Sequence, residues 1–419
     1  MSEQEPTRRG LGPLYAGSFL GNFDRIVITP LLLPIAHGLH VGVAAATTSL
    51  TVYLLMFGLM QPVHGLLSDT VGRVRVMRWA LLGLGAADLL AALAPNLGLL
   101  IAGRAVAGAA AAALMPVAVA YVGDRVPVQR RQRTVASLLA AGAVGTAGAT
   151  VAAGVLTHVW SWRGAILLVA VLAPVLAVVF GRLPEASAPA PAPGAGGARA
   201  AGSGWADRLR RVAGIRWFRF LLALAFIEGA AMLGFFNFFN TALQSHGKSV
   251  LTAGLVTGSY GLAAVAGGLA VRTLALRLSS AALWGAGATL LLAGYLSCAL
   301  SATMPGVLLG SVLAGLAFAL VQSIVQTWAT EVAQPADRGI ATSMVACAVF
   351  TGAALSTWAV GGLASRDRFG LLFVIAAAVT VPVAVLGPIA RARFTGAART
   401  PAPAGAAGPL QPANQSSTN

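Results

Sequence analysis

Five ionisable side chains lie inside long apolar stretches of this sequence, and they are the residues best placed to do chemistry. A charged group within a membrane-spanning helix costs about 2.5–3.5 kcal/mol on insertion scales, so each such residue is a functional candidate. The five are Asp24, Arg25, Asp88, Arg104 and Glu228. A helix rises about 1.5 Å per residue, which puts Asp24, Arg25 and Glu228 near the membrane centre and Asp88 and Arg104 nearer one surface.

The chemistry that these positions suggest is proton transfer, and all five residues are candidates for proton coupling. At the membrane centre two acids, Asp24 and Glu228, share one base, Arg25, so one carboxylate lacks a partner. Burial disfavours its charged form, and it can therefore take up a proton on one side and release it on the other. We rank Glu228 first and Asp24 second as the carrier. Alternatively, Glu228 bonds a neighbouring helix or recognises a cationic substrate, and Asp88 and Arg104 neutralise each other as a structural pair.

An aromatic run, Gly-Phe-Phe-Asn-Phe-Phe-Asn at 234–240, follows Glu228 along the chain. In a regular helix, with about 100° between successive residues, Phe235 and Phe239 share a face with Glu228, while Asn237 points nearly opposite. Such a face would suit an amphipathic or cationic organic molecule; lipid-facing or packing phenylalanines fit the pattern equally well. Further pocket candidates on other spans are Tyr53, Tyr260, Gln322 and Gln326.

Membrane-spanning helices are the elements that must position these residues. The 419-residue chain has 57% hydrophobic and 10% charged residues and a mean hydropathy of +0.81, which a soluble globular protein does not show. About 20 apolar residues cross a bilayer core. We therefore predict an all-α membrane protein, not an enzyme, with twelve transmembrane helices in two pseudo-symmetric six-helix bundles. The predicted spans are 14–36, 43–67, 76–95, 98–121, 134–157, 163–181, 217–243, 250–271, 281–301, 305–328, 339–363 and 369–390.

The basic residues are distributed unevenly between the two sides of the membrane. The net charge is +16, from 28 Lys and Arg against 12 Asp and Glu. If the N-terminus is cytoplasmic, 22 of the 28 basic residues lie on the cytoplasmic side. This positive-inside pattern predicts that both termini are cytoplasmic, and it explains the charge without nucleic acid. Twenty-seven Arg against one Lys, with abundant Ala and Gly, suggests a GC-rich bacterial genome, and we expect the protein in the cytoplasmic membrane of a bacterium.

The two halves of the sequence are copies of one six-helix unit. A shift of 207 residues superposes Tyr53 on Tyr260 and Gly108 on Gly315. Alternating-access transporters are built from such repeats, which rock about a site near the membrane centre. The predicted domains are a cytoplasmic tail at 1–13, a bundle at 14–183, a disordered or semi-extended cytoplasmic linker at 184–216, a bundle at 217–390 and a disordered cytoplasmic tail at 391–419.

A short charged loop between the second and third spans has a recognisable spacing. It reads Gly-Leu-Leu-Ser-Asp-Thr-Val-Gly-Arg-Val-Arg, and its key residues are Gly65, Asp69, Gly72, Arg73 and Arg75. The spacing resembles the loop signature of the major facilitator superfamily. The chain as a whole resembles the twelve-span drug:proton antiporters of that superfamily.

The resemblance implies roles for several residues. In that family the loop aspartate, here Asp69, engages basic residues and a helix N-terminus of the other half and latches the outward-open state. The second copy of the repeat has lost the motif, so we expect a one-sided latch whose counterpart lies near Arg338. A solvated turn that only orients the protein is the alternative. The fourth span, with Arg104 followed by Gly108, resembles the family's second motif, which implies proton coupling by Arg104 and competes with its structural pairing.

We therefore expect a secondary active transporter that exports a small organic compound, a drug-like toxin or a metabolite, by proton antiport and alternating access. Proton-symport or facilitative uptake and a non-transporting membrane sensor are the alternatives. The expected partners are the substrate, protons and the lipid bilayer, with no nucleic acid, metal or cofactor. We expect the chain to act as a monomer.

Overall fold

Long helices dominate the computed structural model, which describes residues 8–185, 205–334 and 337–399. Within those ranges every regular element is helical and no strand occurs. Eleven helices are long and apolar enough to cross a membrane. They are Gly12–Gly38, Val43–Val71, Leu97–Arg125, Val128–Val159, Trp162–Phe180, Arg216–Ser245, Val250–Leu274, Ser280–Leu300, Met304–Val332, Arg338–Ala364 and Phe369–Phe394.

One further helix, Arg73–Ala92, lies among these eleven and packs against Leu97–Ala111 and Trp162–Phe180. Its 20 residues suffice to cross a bilayer core, although Arg75 and Asp88 are among the residues that make it more polar. We count it as the third span because of this packing. The predicted all-helical membrane fold is confirmed.

Three spans are interrupted along their length. The first passes through a 3-10 turn at Thr29–Leu31, and the fourth breaks between Ala111 and Leu114. The seventh passes through a π-helical turn, Ala230–Gly234, and then a 3-10 turn, Phe235–Phe238. The sequence predicted unbroken helices at all three places. Such interruptions release backbone groups from the regular ladder, and π-helical turns occur frequently at functional sites.

The repeat appears in the close contacts between glycines and the backbones of neighbouring spans. A side chain at certain glycines would collide with a carbonyl group of another span, and the same collision recurs 207 residues later in the second half. The pairs are Gly145 with Phe19 and Gly352 with Phe226, and Gly108 with Tyr53 and Gly315 with Tyr260. The buried apolar residues likewise form two main clusters, largely one in each half.

The two halves contact each other mainly away from the motif end, which is the side of the membrane that carries Gly65–Arg75. The second span packs along the eleventh and the fifth along the eighth. At the opposite end the Ala44 N–H donates to Ser365 Oγ at 2.7 Å, and Gln244 Nε2 donates to the Pro30 carbonyl oxygen at 2.9 Å. These contacts hold the halves together at the end opposite the motif.

A short basic helix, Trp205–Gly214, docks onto the second half at the motif end, and we call it the linker helix. Arg208 Nε and Arg211 Nη2 lie 3.0 and 3.5 Å from Asp337 Oδ1, and Val212 is buried. Burial of the Asp337 carboxyl opposes its charge, but hydrogen bonds from the two arginines outweigh this and hold its pKa below the usual value. The linker helix is therefore fastened to the start of the eleventh span at neutral pH.

The predicted linker and C-terminal tail differ in part from the structure. The predicted disordered linker at 184–216 includes the linker helix and the first residue of the seventh span, and residues 186–204 lie outside the described residues. The last helix continues to Arg399, so the predicted disordered tail begins inside a helix. Residues 1–7 and 400–419, which hold most of the two predicted tails, lie outside the description as well.

Candidate functional site

Three charged side chains of the first half meet in one buried cluster. Arg104 Nη1 donates to Asp24 Oδ1 at 2.6 Å and to Asp88 Oδ1 at 2.7 Å, and all three side chains are 0% exposed. The Tyr53 ring covers the guanidinium, with 4.3 Å between Cζ and the ring centroid. Two carboxylates on one guanidinium leave one negative charge in excess when all three groups are ionised. A proton on either carboxylate would neutralise the cluster.

Arg104 makes a further bond near the interruption of the first span. Arg104 Nη2 donates to the Asp24 carbonyl oxygen at 3.1 Å, a few residues before the 3-10 turn at Thr29–Leu31. The guanidinium therefore binds the side chain and the backbone of one residue where the helix is about to break. Arg104 fixes the geometry of that interruption.

In the second half an uncharged side chain makes the corresponding bond to an interrupted helix. Under the shift of 207 residues, Asp24 corresponds to Ala231 and Asp88 to Tyr295. The Phe235 N–H donates to the Ala230 carbonyl, which leaves the Ala231 carbonyl available, and the Tyr295 hydroxyl donates to it. Each half thus binds the carbonyl group of an interrupted span with a side chain of a neighbouring span.

The predicted grouping of Asp24 and Glu228 around Arg25 is wrong. Asp24 pairs with Arg104, as Asp88 does. Arg25 Nη2 donates to Asn22 Oδ1 at 3.0 Å instead. Successive residues of a helix point about 100° apart, so Asp24 faces its own bundle whereas Arg25 faces the other half. Depth in the membrane predicted proximity but not direction.

Glu228 is the buried carboxylate that has no partner. Its side chain is 1% exposed, its Oε2 makes no hydrogen bond, and it forms no ion pair within the described part of the chain. Tyr260 lies within electrostatic reach of both Glu228 and Arg25. The prediction of one partnerless acid near the membrane centre therefore fits Glu228, not Asp24.

A cavity lies between the two halves at the level of these residues. The first half contributes three residues to its lining and the second half four. They are Arg25, Ile26 and Leu54, and Leu233, Phe236, Asn237 and Tyr260. Asn237 also bonds across the interface, accepting from Thr29 Oγ1 at 3.4 Å and donating to Thr357 Oγ1 at 3.2 Å. Both halves therefore line this cavity, whose volume of about 10 Å³ in this conformation has room for little more than one water molecule.

Several predicted pocket residues lie elsewhere. Phe235 and Phe239 do not line the cavity but pack edge-on against Tyr295 in the core of the second half. The π-helical and 3-10 turns rotate the chain after Glu228, so the predicted helical phase is wrong and Phe236 and Asn237 face the cavity instead. No sequence signal other than the Gly-Phe-Phe-Asn run marked that change.

The remaining pocket candidates divide between the cavity and other places. Tyr260 lines the cavity. Tyr53 is fully buried over Arg104, so it belongs to the charged cluster. Gln322 and Gln326 are half-buried on the tenth span and are not part of the lining.

The loop motif forms a network within the first half. Asp69 pairs with Arg73, whose guanidinium also contacts Ser68 Oγ at 2.6 Å and Asp124 Oδ2 at 3.1 Å. Gly72 has a φ of 112°, in the left-handed region that other residues avoid, so the turn requires glycine. A side chain at Gly65 would meet no atom within 4 Å, so close packing does not explain this glycine.

Glu185 completes this network, and sequence reasoning missed it. Its carboxylate accepts from the backbone N–H groups of Val74 at 2.9 Å and Arg75 at 3.2 Å, which satisfies the free donors at the start of the third span. The Arg125 guanidinium binds the Glu185 carbonyl. An acid soon after the sixth span was the only signal available.

The expected latch between Asp69 and the eleventh span is not formed in this conformation. The Asp69 side chain is 60% exposed and its described ion pair is with Arg73. Arg338 instead donates to the Thr330 carbonyl oxygen of its own half at 3.1 Å. The halves are held together at the opposite end, and this accounts for the separation of the two sides of the latch.

Two helical bundles with a cavity between them are the architecture of alternating-access transporters. The profile of the Major Facilitator Superfamily matches residues 14–303 and 237–416. The chain therefore belongs to the major facilitator superfamily, a family of transporters rather than enzymes.

Curated relatives match parts of the chain. A triacylglyceride transporter of Mycolicibacterium hassiacum is 32% identical over 145 residues, 33% of this chain and 27% of that protein. The puromycin resistance protein of Streptomyces alboniger is 32% identical over 157 residues, 37% of this chain and 31% of its own length. The lincomycin resistance protein of Streptomyces lincolnensis is 31% identical over 148 residues, 35% and 30% of the two lengths. The chain thus spans about a third of these relatives.

Solved structures share the fold over nearly the whole chain. A bacterial homolog of the human lysosomal transporter Spinster, inward-facing and unoccupied, has a TM-score of 0.75 and 17% identity and covers 96% of this chain and 100% of its own. A POT family transporter in complex with 5-aminolevulinic acid has a TM-score of 0.73 and 13% identity, with 92% and 97% covered. At these identities the likeness shows the fold alone.

Proposed function

We propose that this protein exports a small organic compound by alternating access, in exchange for protons. The observation that carries the proposal is the buried, partnerless carboxylate of Glu228, on the interrupted span that also contributes Phe236 and Asn237 to the cavity between the halves. A carboxylate in that position can be neutral in one state of the cycle and charged in another. Its protonation would change which conformation is favoured.

The direction of transport is proposed from the relatives. Two of them are named as antibiotic resistance proteins, and moving a toxic compound out of the cell is the simplest way for a transporter to give resistance. Uptake by proton symport, facilitated uptake and a sensor without transport are separated from export by the experiment below.

We propose that the motif end faces the cytoplasm of a bacterium. Arg73, Arg75, Arg125 and Arg338 all lie near that end, as the positive-inside rule requires. In this orientation the described contacts seal the outer side, and substrate would enter from the cytoplasm. The chain acts as a monomer in this proposal, since both bundles and the cavity belong to one chain.

The test is transport by the purified full chain in liposomes, with and without an imposed pH gradient. We would screen aromatic compounds of different charge and compare wild type with Glu228→Gln. Wild type should move at least one compound against its gradient when protons flow the other way. Glu228→Gln should keep substrate binding but lose the gradient dependence.

The control is Asp207→Asn, which removes a carboxylate of the linker helix that is 58% exposed and lies 3.8 Å from the exposed Arg210. This control should retain coupled transport. Unchanged gradient dependence in Glu228→Gln would remove Glu228 from the mechanism. Movement of protons and solute in the same direction would favour symport, and no solute movement at all would favour the sensor.

A further inference from the structure

Arg25 is the one charged side chain in the lining of the cavity. Its described polar contact is the hydrogen bond from Nη2 to Asn22 Oδ1 at 3.0 Å, and the ring of Phe350 has its centroid 5.9 Å from Cζ. No carboxylate lies within 4.0 Å of its guanidinium among the described residues. Arg25 therefore faces the cavity without an anion.

A guanidinium without a counter-charge at the membrane centre costs free energy. Insertion scales put an arginine there at about 2.5–3.5 kcal/mol, and the first half shows what full compensation looks like. Arg104 has two carboxylates and a backbone carbonyl around it, whereas Arg25, the neighbour of one of those carboxylates, has an amide oxygen. Packing alone does not explain why Arg25 has no acidic partner among the described residues when Arg104 has two.

The groups around Arg25 are those that an oxyanion requires. A guanidinium binds carboxylate, phosphate or sulfonate oxygens through parallel N–H donors, in a planar geometry that an ammonium lacks. Tyr260 brings a hydroxyl to the same cavity from the other half. Leu54, Leu233 and Phe236 give the cavity an apolar wall; the cavity would have to widen during the transport cycle before this wall could contact the body of an organic molecule.

We propose that Arg25 binds an anionic group of the transported compound, so that the substrate class is an organic anion with an apolar body. This differs from the amphipathic or cationic molecule that a face shared by Phe235, Phe239 and Glu228 would suit. The inference rests on the proposed function for its role in transport, but binding itself can be measured without transport.

The arrangement also separates the substrate from the proton. The anion would bind Arg25 in the first half, and the proton would bind Glu228 in the second half. Glu228 itself does not line the cavity. The two ligands would then not compete for the same atom, and their exchange would depend on the movement of the halves. An inside-negative potential favours the export of an anion by about 2.3 kcal/mol per charge for each 100 mV.

The experiment measures binding of three probes with one aromatic body to the full chain in lipid nanodiscs at constant pH. The probes are naphthaleneacetate, naphthaleneacetamide and naphthylmethylamine, which are anionic, neutral and cationic. The carboxylate should bind wild type about 10-fold or more tightly than the amide, the range of a charge-assisted hydrogen bond. Arg25→Gln should abolish that preference, and Arg25→Lys should retain part of it.

The matched control is Arg163→Gln, because Arg163 donates to the Ala94 carbonyl at the opposite end, outside the cavity. This variant should bind all three probes as wild type does. Arg25→Gln should also unfold at a temperature no lower than wild type, since it removes an uncompensated charge. A lower unfolding temperature with unchanged probe preference would show that Arg25 is structural.

The inference is overturned if the amide or the amine binds as tightly as the carboxylate, if Arg25→Gln keeps the preference, or if no probe binds up to its solubility limit. Failure of the proposed function looks different. A carboxylate that binds through Arg25 but is not moved by a pH gradient in liposomes would leave this inference intact and contradict proton-coupled export.

Discussion

The buried charged residues discussed above fall into two groups, those with an ion-pair partner and those without one among the described residues. Arg104 sits among acids that compensate it, whereas Glu228 and Arg25 have no ion pair within the described residues. The Arg104 cluster depends on its base, because removing Arg104 would leave two buried carboxylates without a counter-charge. We propose that the uncompensated groups serve a ligand or a proton.

The Arg104 cluster should respond very differently to the loss of its base and the loss of one acid. Arg104→Gln leaves Asp24 and Asp88 facing each other in a buried site, and it should lower the free energy of unfolding by about 3–5 kcal/mol. Asp88→Asn leaves a one-to-one pair and should cost much less. Denaturant unfolding of the two variants in detergent micelles measures both values, and equal losses would show that the excess negative charge has no energetic consequence.

At the scale of elements, the interrupted spans determine where the functional groups point. The π-helical turn at Ala230–Gly234 turns Phe236 and Asn237 towards the cavity, and Arg104 binds the Asp24 carbonyl oxygen a few residues before the 3-10 turn of the first span. Tyr295 binds a carbonyl oxygen at the interruption of the seventh span, as Arg104 does in the first span. The interruptions are positions where a helix can bend as the halves move.

Tyr295→Phe tests this role, because it removes only the hydroxyl that binds the Ala231 carbonyl. The seventh span then loses its hold at the interruption, and transport should slow by about 3- to 10-fold, the range for one hydrogen bond. The control is Tyr121→Phe, which loses a 3.1 Å bond to the Pro184 carbonyl at the motif end. Equal rates of the two variants in liposome transport, with equal thermal stability, would count against a specific role for Tyr295.

The sequence predicted the elements better than the contacts between them. Long apolar runs predicted the spans because composition alone decides which segments enter a membrane. The pairing of Asp24 with Arg104 was not predictable, since it depends on which face of the first helix turns towards the fourth. The change of phase after Glu228 was missed because an apolar run reads the same through a π-helical turn. Glu185 was missed because its partners are backbone N–H groups, which leave no pattern in the sequence.

At the scale of the whole molecule, the two halves meet at one end while the loop motif stays free at the other. Ala44 and Ser365 are in contact at the opposite end, whereas Asp69 and Arg338 each bond within their own half. Alternating access requires these two ends to open in turn. A latch between Gly65–Arg75 and the eleventh span would therefore require another conformation.

Cysteine cross-linking tests this alternation of the two ends in a chain lacking Cys298 and Cys347. A cross-link between Ala44→Cys and Ser365→Cys should block transport and prevent a cross-link between Asp69→Cys and Arg338→Cys. The second pair should form in the uncross-linked protein during turnover. Separately, Asp69→Asn should reduce turnover several-fold with little change in substrate binding. Simultaneous formation of both cross-links in one molecule would contradict alternating access.

The central claim is that Glu228 carries the proton that is exchanged for the substrate. The most direct measurement is the pH inside liposomes when a transported compound is added without any imposed pH gradient. Substrate movement through wild type should drive protons the opposite way and change the internal pH, and Glu228→Gln should move substrate with no such change. An equal pH change in the variant would contradict the claim.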